Sequence, residues 1–178
     1  MFDGTPRSYL KSTLHFLIIV IIVVALVRLF VVVPGRVDGV SMEPTFYDGQ
    51  AFLVSRLDYF FRTPERHDIV QLIDPTADQK LLIKRIIALP GETLEFENNQ
   101  ITITPIEGEP FVLDEPYLKP TTLTRRGAYE GIKVPISDDS YFVMGDNRLS
   151  SKDSREFGAI HRQFLNGKVY TIESVLAR

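Results

Sequence analysis

The chain has 178 residues, a formal charge of −3 and a sequence pI near 5.6, which suits one domain with a small appendage and lacks the basic field that nucleic-acid binding requires. It contains no cysteine, which excludes disulfides, thiolate catalysis and cysteine metal sites while selecting no redox compartment. Its three histidines, His15, His67 and His161, stand far apart without ligand spacing, so no metal or other cofactor is expected.

Residues 14–33 read LHFLIIVIIVVALVRLFVVV. As a helix rising 1.5 Å per residue they would span about 30 Å, the thickness of a bilayer core. His15 lies at the edge of the run, and Arg28 is close enough to its C-terminal end to snorkel to the nearer interface. A cleaved signal peptide needs a shorter apolar core and a small-x-small site, which FVVVPGRV lacks. A buried core helix of this length is rarely so rich in β-branched residues. The expectation is a retained single-pass anchor at 14–33. Arg7 and Lys11 precede it against Arg36 after it, which places 1–13 in the cytoplasm and 34–178 outside it.

Ser41 follows in GVSMEPTF (39–46), among turn-forming residues, and a plain turn serine is its ordinary reading. The hydrolase elbow G-x-S-x-G does not apply, because Glu43 stands at its second glycine. Short apolar, β-branched or aromatic runs at 51–57, 68–73, 81–89 and 141–144 read as strands, with GKVYTIES (167–174) closing the domain. Between the first two, LDYFFRTP (57–64) reads first as core packing and second as an aromatic edge at the membrane interface. TLEFENNQITIT predicts a hairpin turning at Asn98-Asn99, with Leu94, Phe96, Ile101 and Ile103 on one face. The stretch 105–135, punctuated by Pro and Gly and carrying Arg125-Arg126, reads as an inserted subdomain, and HRQFL as a single helical turn. The class is mainly β: a transmembrane helix followed by an antiparallel β-sheet domain.

A serine nucleophile needs a base within hydrogen-bond reach. His67 and His161 stand in charged, turn-like surroundings that read as solvent-facing. In LLIKRII, alternation puts Leu82, Lys84 and Ile86 on one face, where desolvation would lower the lysine pKa toward the working pH, while Arg85 points the other way. Taken alone, Lys84 reads as a snorkelling lysine on an edge strand. The segment GDNRLSSKDSREFG (145–158) gathers Asp146, Asn147, Arg148, Ser151, Asp153, Ser154 and Arg155, more polar groups than a surface turn needs and enough to form a network that orients a catalytic group.

With SMEPT, KRIIALPGE and GDNRLSSKDSR in this order behind an apolar N-terminal run, and DEPYL (114–118) between the last two, the chain resembles the bacterial type I signal peptidases in their compact Gram-positive or cyanobacterial form. These are membrane-anchored Ser/Lys proteases that remove signal peptides from exported proteins. The resemblance implies Ser41 as nucleophile, Lys84 as general base and Ser151 as the serine that hydrogen-bonds and orients the lysine. It implies Asp153 and Arg155 as a steadying ion pair, with Arg85, Asp146 and Asn147 in support. Met42, Ile83 and Leu82 would line the pocket for a small P1 side chain, and the Ser41 backbone N–H would be one oxyanion donor. The substrate would lie as an extended strand beside 81–86 and be cut after a small-x-small site. Signal peptides of preproteins, membrane lipid and the secretion machinery are the implied partners.

Two positions depart from the pattern. Gly39 stands where many members carry a Ser or Thr that adds an oxyanion donor, and His67-Asp68-Ile69-Val70 stands where many have Gly-Asp-Ile-Val. Two rival readings remain: a LexA-type self-cleaving Ser/Lys peptidase, against which the anchor and the GDNR box argue, and a membrane-tethered β domain that binds exported proteins without cutting them.

Overall fold

In the computed structural model, which describes residues 6–76, 80–124, 129, 131–172 and 174, with side chains at 11–25 and from 32 onward, helix α1 (Pro6–Val31) runs directly into strand β1 (Val32–Arg36). There follow β2 (Ala51–Ser55), α2 (Asp58–Phe61), β3 (Ile69–Ile73), β4 (Leu81–Ala88), β5 (Thr93–Glu97), β6 (Gln100–Thr104), β7 (Phe111–Val112), β8 (Lys133–Pro135) and β9 (Ser140–Met144). The chain continues through α3 (Ser154–Phe157), β10 (Ile160–His161), a 3₁₀ turn (Arg162–Phe164) and β11 (Leu165–Thr171). Seven strands form one sheet in the order β1-β2-β11-β3-β4-β9-β10, and four form a second in the order β7-β6-β5-β8. Every pairing among them is antiparallel.

The alternation read in the sequence is the alternation that folds. Leu94, Phe96, Ile101 and Ile103 are all at most 1% exposed, and Asn98 and Asn99 take φ of 48° and 64°, the two positive values a type I′ turn needs. This hairpin belongs to the smaller sheet together with β7 and β8, so the small unit begins at β5 rather than at residue 105. The closing strand lies at Leu165–Thr171 instead of 167–174. The expected span 14–33 also changes at its end, because Val32 and Val33 pair with Ser55 and Val54 as part of β1. A strand with Pro34 in it is tolerated because β1 is a sheet edge, where one side of the backbone has no ladder to serve. Gly35 is required there, since a Cβ would fall 2.4 Å from the ring of Phe52 directly opposite.

Leu14 and residues 16–24 of α1 are 40–65% exposed on all sides. Among the described residues no helix is long and apolar enough to cross a membrane. The remainder of the expected span, with Arg28, lies outside the described side chains, as does Arg7, and Arg125-Arg126 lie outside the described residues. The core-packing expectation for LDYFFRTP fails at two rings, since Phe60 and Phe61 are 80% and 72% exposed.

One apolar cluster joins the sheets, with Ile87, Ala88, Phe142 and Met144 of the larger meeting Leu94, Phe96, Ile101 and Ile103 of the smaller. Phe142 is fully buried, 6.1 Å from Phe96 and 6.0 Å from Tyr129 between ring centroids. Phe142→Ala is expected to destabilise the domain by about 3–5 kcal/mol in urea unfolding, with amide exchange rising first in β5 and β6 because the substitution undocks the small sheet.

Candidate active site

Lys84 lies on β4 opposite Val70 of β3, and its strand neighbours Leu82 and Ile86 pack in the same apolar cluster as Val70. The face that alternation assigns to it is therefore apolar, and the residue is only 2% exposed. Ser41 arrives from the loop between β1 and β2. Val37 N–H donates to Gln50 O and Gly49 N–H to Val37 O, closing the loop base, while Gly39 turns the chain at φ +97° and its N–H donates to Asp48 Oδ1 at 2.8 Å. Met42 and Phe46, 1% and 0% exposed, fix the loop to the core beneath β1, β2 and β11.

These two segments bring Lys84 Nζ to 2.8 Å from Ser41 Oγ and 2.9 Å from Ile83 O. Burial pushes the lysine pKa down to about 8, against the pull of the Asp153 and Asp146 carboxylates, which favour the ammonium. An N–H donated to Ile83 O orients the amine so that, once neutral, its lone pair faces the Ser41 hydroxyl.

Both carboxylates are tied to arginines. Asp146 accepts from Arg85 Nε at 2.9 Å and Nη2 at 2.6 Å, and Arg85 also donates to His67 O and Thr45 Oγ1 and lies 3.8 Å from the centre of the Tyr117 ring. Asp153 accepts from Arg155 Nε at 2.8 Å and Nη2 at 2.7 Å, and from Gly145 N–H at 2.9 Å. Burial alone would raise the Asp153 carboxyl; the Arg155 hydrogen bonds and charge outweigh it and hold the group below the usual carboxylate range. Asn147 joins this loop to the serine turn, donating its N–H to Ser41 O and its side chain to Val40 O, both at 3.1 Å.

Ser151 is the exception. The expected hydrogen bond to Lys84 is not made: the lysine bonds to Ser41 Oγ and Ile83 O, and the buried Ser151 Oγ makes no hydrogen bond of good geometry. Its side chain instead covers Gly145, beside the Asp153 carboxylate. His67 also differs from expectation. It is half-buried at φ +70° with Nδ1 buried and unpartnered, its ring meets Tyr117 edge-on, and burial with Arg85 and Arg66 lowers its pKa. Its left-handed backbone accounts for the glycine of the resembled pattern at this position. His161 is exposed and accepts from Gln163 N–H in the 3₁₀ turn.

A cleft of about 560 Å³ runs past the pair, lined by Ser41, Met42, Phe52, Leu82, Ile83 and Lys84 among others. Sequence reading left out three features of this site. Gly145 is one; nothing in its one-letter context separates a turn glycine from a packing glycine. Lys152 is another, ion-paired to Asp74 at 3.0 Å across the cleft end. The third is the partner set of Arg148, which is 1% exposed and bonded to Glu115, Tyr117, Thr124 and Gly145 O; the DEPYL stretch was its only trace.

Comparison with known proteins bears on this geometry. Residues 10–172 match the family described as Signal peptidase, peptidase S26. Signal peptidase I V of Bacillus subtilis (strain 168) is 34% identical over 175 residues, covering 92% of this chain and 100% of its own length. A probable signal peptidase I-1 of Synechocystis sp. is 33% identical over 171 residues, covering 92% and 82%. Among solved structures, a signal peptidase I from Enterococcus faecalis V583 is 30% identical with a TM-score of 0.47, covering 60% of this chain and 97% of that one.

A Cβ on Gly145 would fall 2.2 Å from Ser151 Oγ and 2.4 Å from Ser41 O, so Gly145→Ala must push the serine turn off the loop. The expected result is a fall of about 100-fold in the hydrolytic activity of the site, because a displacement of about 1 Å between reacting groups costs that much, with near-native circular dichroism.

Proposed function

Given that the chain belongs to the signal peptidase family, peptidase S26, we propose that Ser41 is its nucleophile and Lys84 its general base. The chain is a serine endopeptidase of the signal peptidase I type, and its substrates are the signal peptides of preproteins. The observation that carries the residue assignment is the 2.8 Å contact between Ser41 Oγ and the nitrogen of a lysine that is 2% exposed. No other base is hydrogen-bonded to that hydroxyl among the described residues.

Neutral Lys84 takes the Ser41 proton as Oγ attacks the scissile carbonyl, then delivers it to the leaving amine; the acyl-enzyme is cleared by a water that Lys84 deprotonates in turn. The Ser41 N–H is one oxyanion donor. Gly39 supplies no hydroxyl, so a second donor must be main chain or water. Asp153 with Arg155, and Asp146 with Arg85, hold the 145–155 loop, Asn147 fixes it to Ser41 O, and Ser151 acts through packing on Gly145. Residues Leu81–Lys84 pair with β3 on one side, while β9 covers β4 only from Arg85 onward. That free edge accepts an extended substrate, and the apolar cleft at Met42, Leu82 and Ile83 admits small side chains, giving cleavage after small-x-small sites.

The family is membrane-associated. The finer reading is an anchor at 14–33 with residues 1–13 cytoplasmic and 34–178 outside the cytoplasm, contacting lipid and working beside the secretion machinery. A helix exposed and apolar on all sides supports it, since such a helix needs apolar surroundings.

Detergent-solubilised wild type should cut a preprotein carrying an Ala-x-Ala site, and Ser41→Ala and Lys84→Ala should each lose about 10⁴-fold or more in kcat/KM while remaining folded. Near-normal turnover of folded Lys84→Ala would refute the dyad. The active form holds a neutral amine, so kcat/KM should rise with pH through an apparent pKa of about 8 and level off above it. A profile already flat at pH 6 would mean that Lys84 is not the base.

A further inference from the structure

Strand β3 reads IVQLI, and its period-two alternation places Ile69, Gln71 and Ile73 on one face and Val70 and Leu72 on the other. Val70 and Leu72 are buried in one apolar cluster, while Ile69 packs on another with Met42, Phe52 and Ile83. Gln71, half-buried, therefore stands where the pattern calls for an aliphatic residue. Directly opposite it on β4 is Ile83. Apart from Ser41, Gln71 is the one uncharged polar side chain among the described residues that line the cleft of about 560 Å³.

Its amide is held at one end only. The pairing of β11 with β3 slips between Leu165 and Gly167, and the extra residue, Asn166, donates its Nδ2–H to Gln71 Oε1. Bulges re-aim side chains in this way. The other end of the amide is open. Gln71 Nε2 donates to no protein group among the described residues, and it is not enclosed, since the side-chain atoms there that are both buried and unpartnered are His67 Nδ1 and Ser151 Oγ. A positioned N–H donor thus stands in the part of the cleft that Met42, Phe52 and Ile83 make apolar.

We infer that Gln71 is a specificity-determining residue that reads the substrate side chain two positions before P1, hydrogen-bonding a serine or threonine hydroxyl at P3. The inference rests on the proposed dyad and on the substrate lying along Leu81–Lys84. P1 sits beside Ser41, against Met42. Extended backbone brings P3 back to the same face about 7 Å further along. A substrate strand on the free edge of β4 lies two strand spacings, about 10 Å, from β3. A glutamine side chain, a hydrogen bond of about 2.9 Å and a serine or threonine hydroxyl together bridge that distance over Ile83. The hydroxyl accepts from the amide N–H, whereas alanine or valine covers that N–H and offers it no acceptor. P3 is then selected by chemistry as well as by size.

Four preproteins that differ only at P3, carrying Ala-x-Ala, Ser-x-Ala, Val-x-Ala and Thr-x-Ala, are digested in competing pairs by the full-length enzyme in detergent, with the cut site read by mass spectrometry. Threonine and valine have nearly the same shape, so their ratio isolates the hydroxyl. Wild type should favour Ser over Ala and Thr over Val by about fivefold in kcat/KM. Gln71→Met, or Gln71→Leu should that variant fold poorly, should bring the Thr-to-Val ratio to one or below. Asn166→Ala, which releases the amide, should lower it to about twofold. A wild-type ratio of one would refute the inference whatever the variants do, and would leave the dyad standing. A wild-type preference that folded Gln71→Met retains would assign the hydroxyl to another group and overturn the inference as well. If wild type cuts none of the four after the P1 alanine, or Ser41→Ala cuts them at the wild-type rate, the dyad reading fails and takes this inference with it.

Discussion

A lysine nitrogen buried 2.8 Å from a serine hydroxyl is the constraint around which this structure is arranged. Lowering the Lys84 pKa from 10.5 to about 8 corresponds to about 3 kcal/mol that the fold forgoes. Because the folded value lies below the unfolded one, that loss is complete below about pH 8, shrinks as pH rises from about 8 to 10.5, and is gone above that. The loss is useful only if nothing nearby restores the ammonium. Asp146 and Asp153 both act in that direction, and each has its own two-point arginine partner, Arg85 and Arg155. The ion pairs therefore serve the proposed base indirectly: they let two carboxylates order a loop by hydrogen bonding while the net charge facing Lys84 stays small.

The small sheet takes part in the same arrangement. Its outgoing segment delivers Glu115 to Arg148 and Tyr117 to the face of Arg85, so both guanidinium groups are held by it. Arg148 is almost fully buried, and a charge so placed is strongly destabilising if one partner is removed. Undocking the small sheet would leave Arg85 and Arg148 short of partners as well as exposing the apolar cluster at Phe142. The stretch that reads as an insertion is thus a support for the 145–155 loop.

What the sequence disclosed follows from which signals are periodic. Alternation placed Lys84 on an apolar face and oriented the hairpin from Leu94 to Ile103, because period-two burial leaves a mark at every second residue. Clustered polarity exposed the 145–155 loop for a similar reason. What stayed hidden depends on contacts distant along the chain: Gly145 filling the gap between Ser41 O and Ser151, Tyr117 stacked on Arg85, and Gly35 under Phe52. The Ser151–Lys84 bond was expected from a pattern of residue types; in the structure the Ser151 side chain lies over Gly145 instead. Strand β1 was missed because its first residues, Val32 and Val33, continue an apolar run and its proline hides a sheet edge. Phe60 and Phe61 were misread because apolar composition predicts burial only when something is available to cover it.

Strand β1 also changes how the proposed dyad is placed. An unstructured link of eight residues from Val33 to Ser41 would let the serine range over about 29 Å. Paired along its whole length to β2, the first part of that link becomes a rigid rise of about 14 Å from Val32 to Arg36, and the loop to Ser41 is closed at its base by Val37, Gly49 and Gln50. Ser41 is then held at a fixed place relative to β1 and β2. If α1 is the anchor, as proposed, a preprotein whose apolar segment lies in the same bilayer must cover a fixed distance in extended form, at about 3.3 Å per residue, to align beside Leu81–Lys84. About five residues between the apolar segment and the scissile bond would cover the rise. With the anchor and dyad proposed above, selection of the cleavage site would be geometric as well as chemical: the cleft would admit small side chains, and the length of β1 would limit which small-x-small pair could present itself to Ser41.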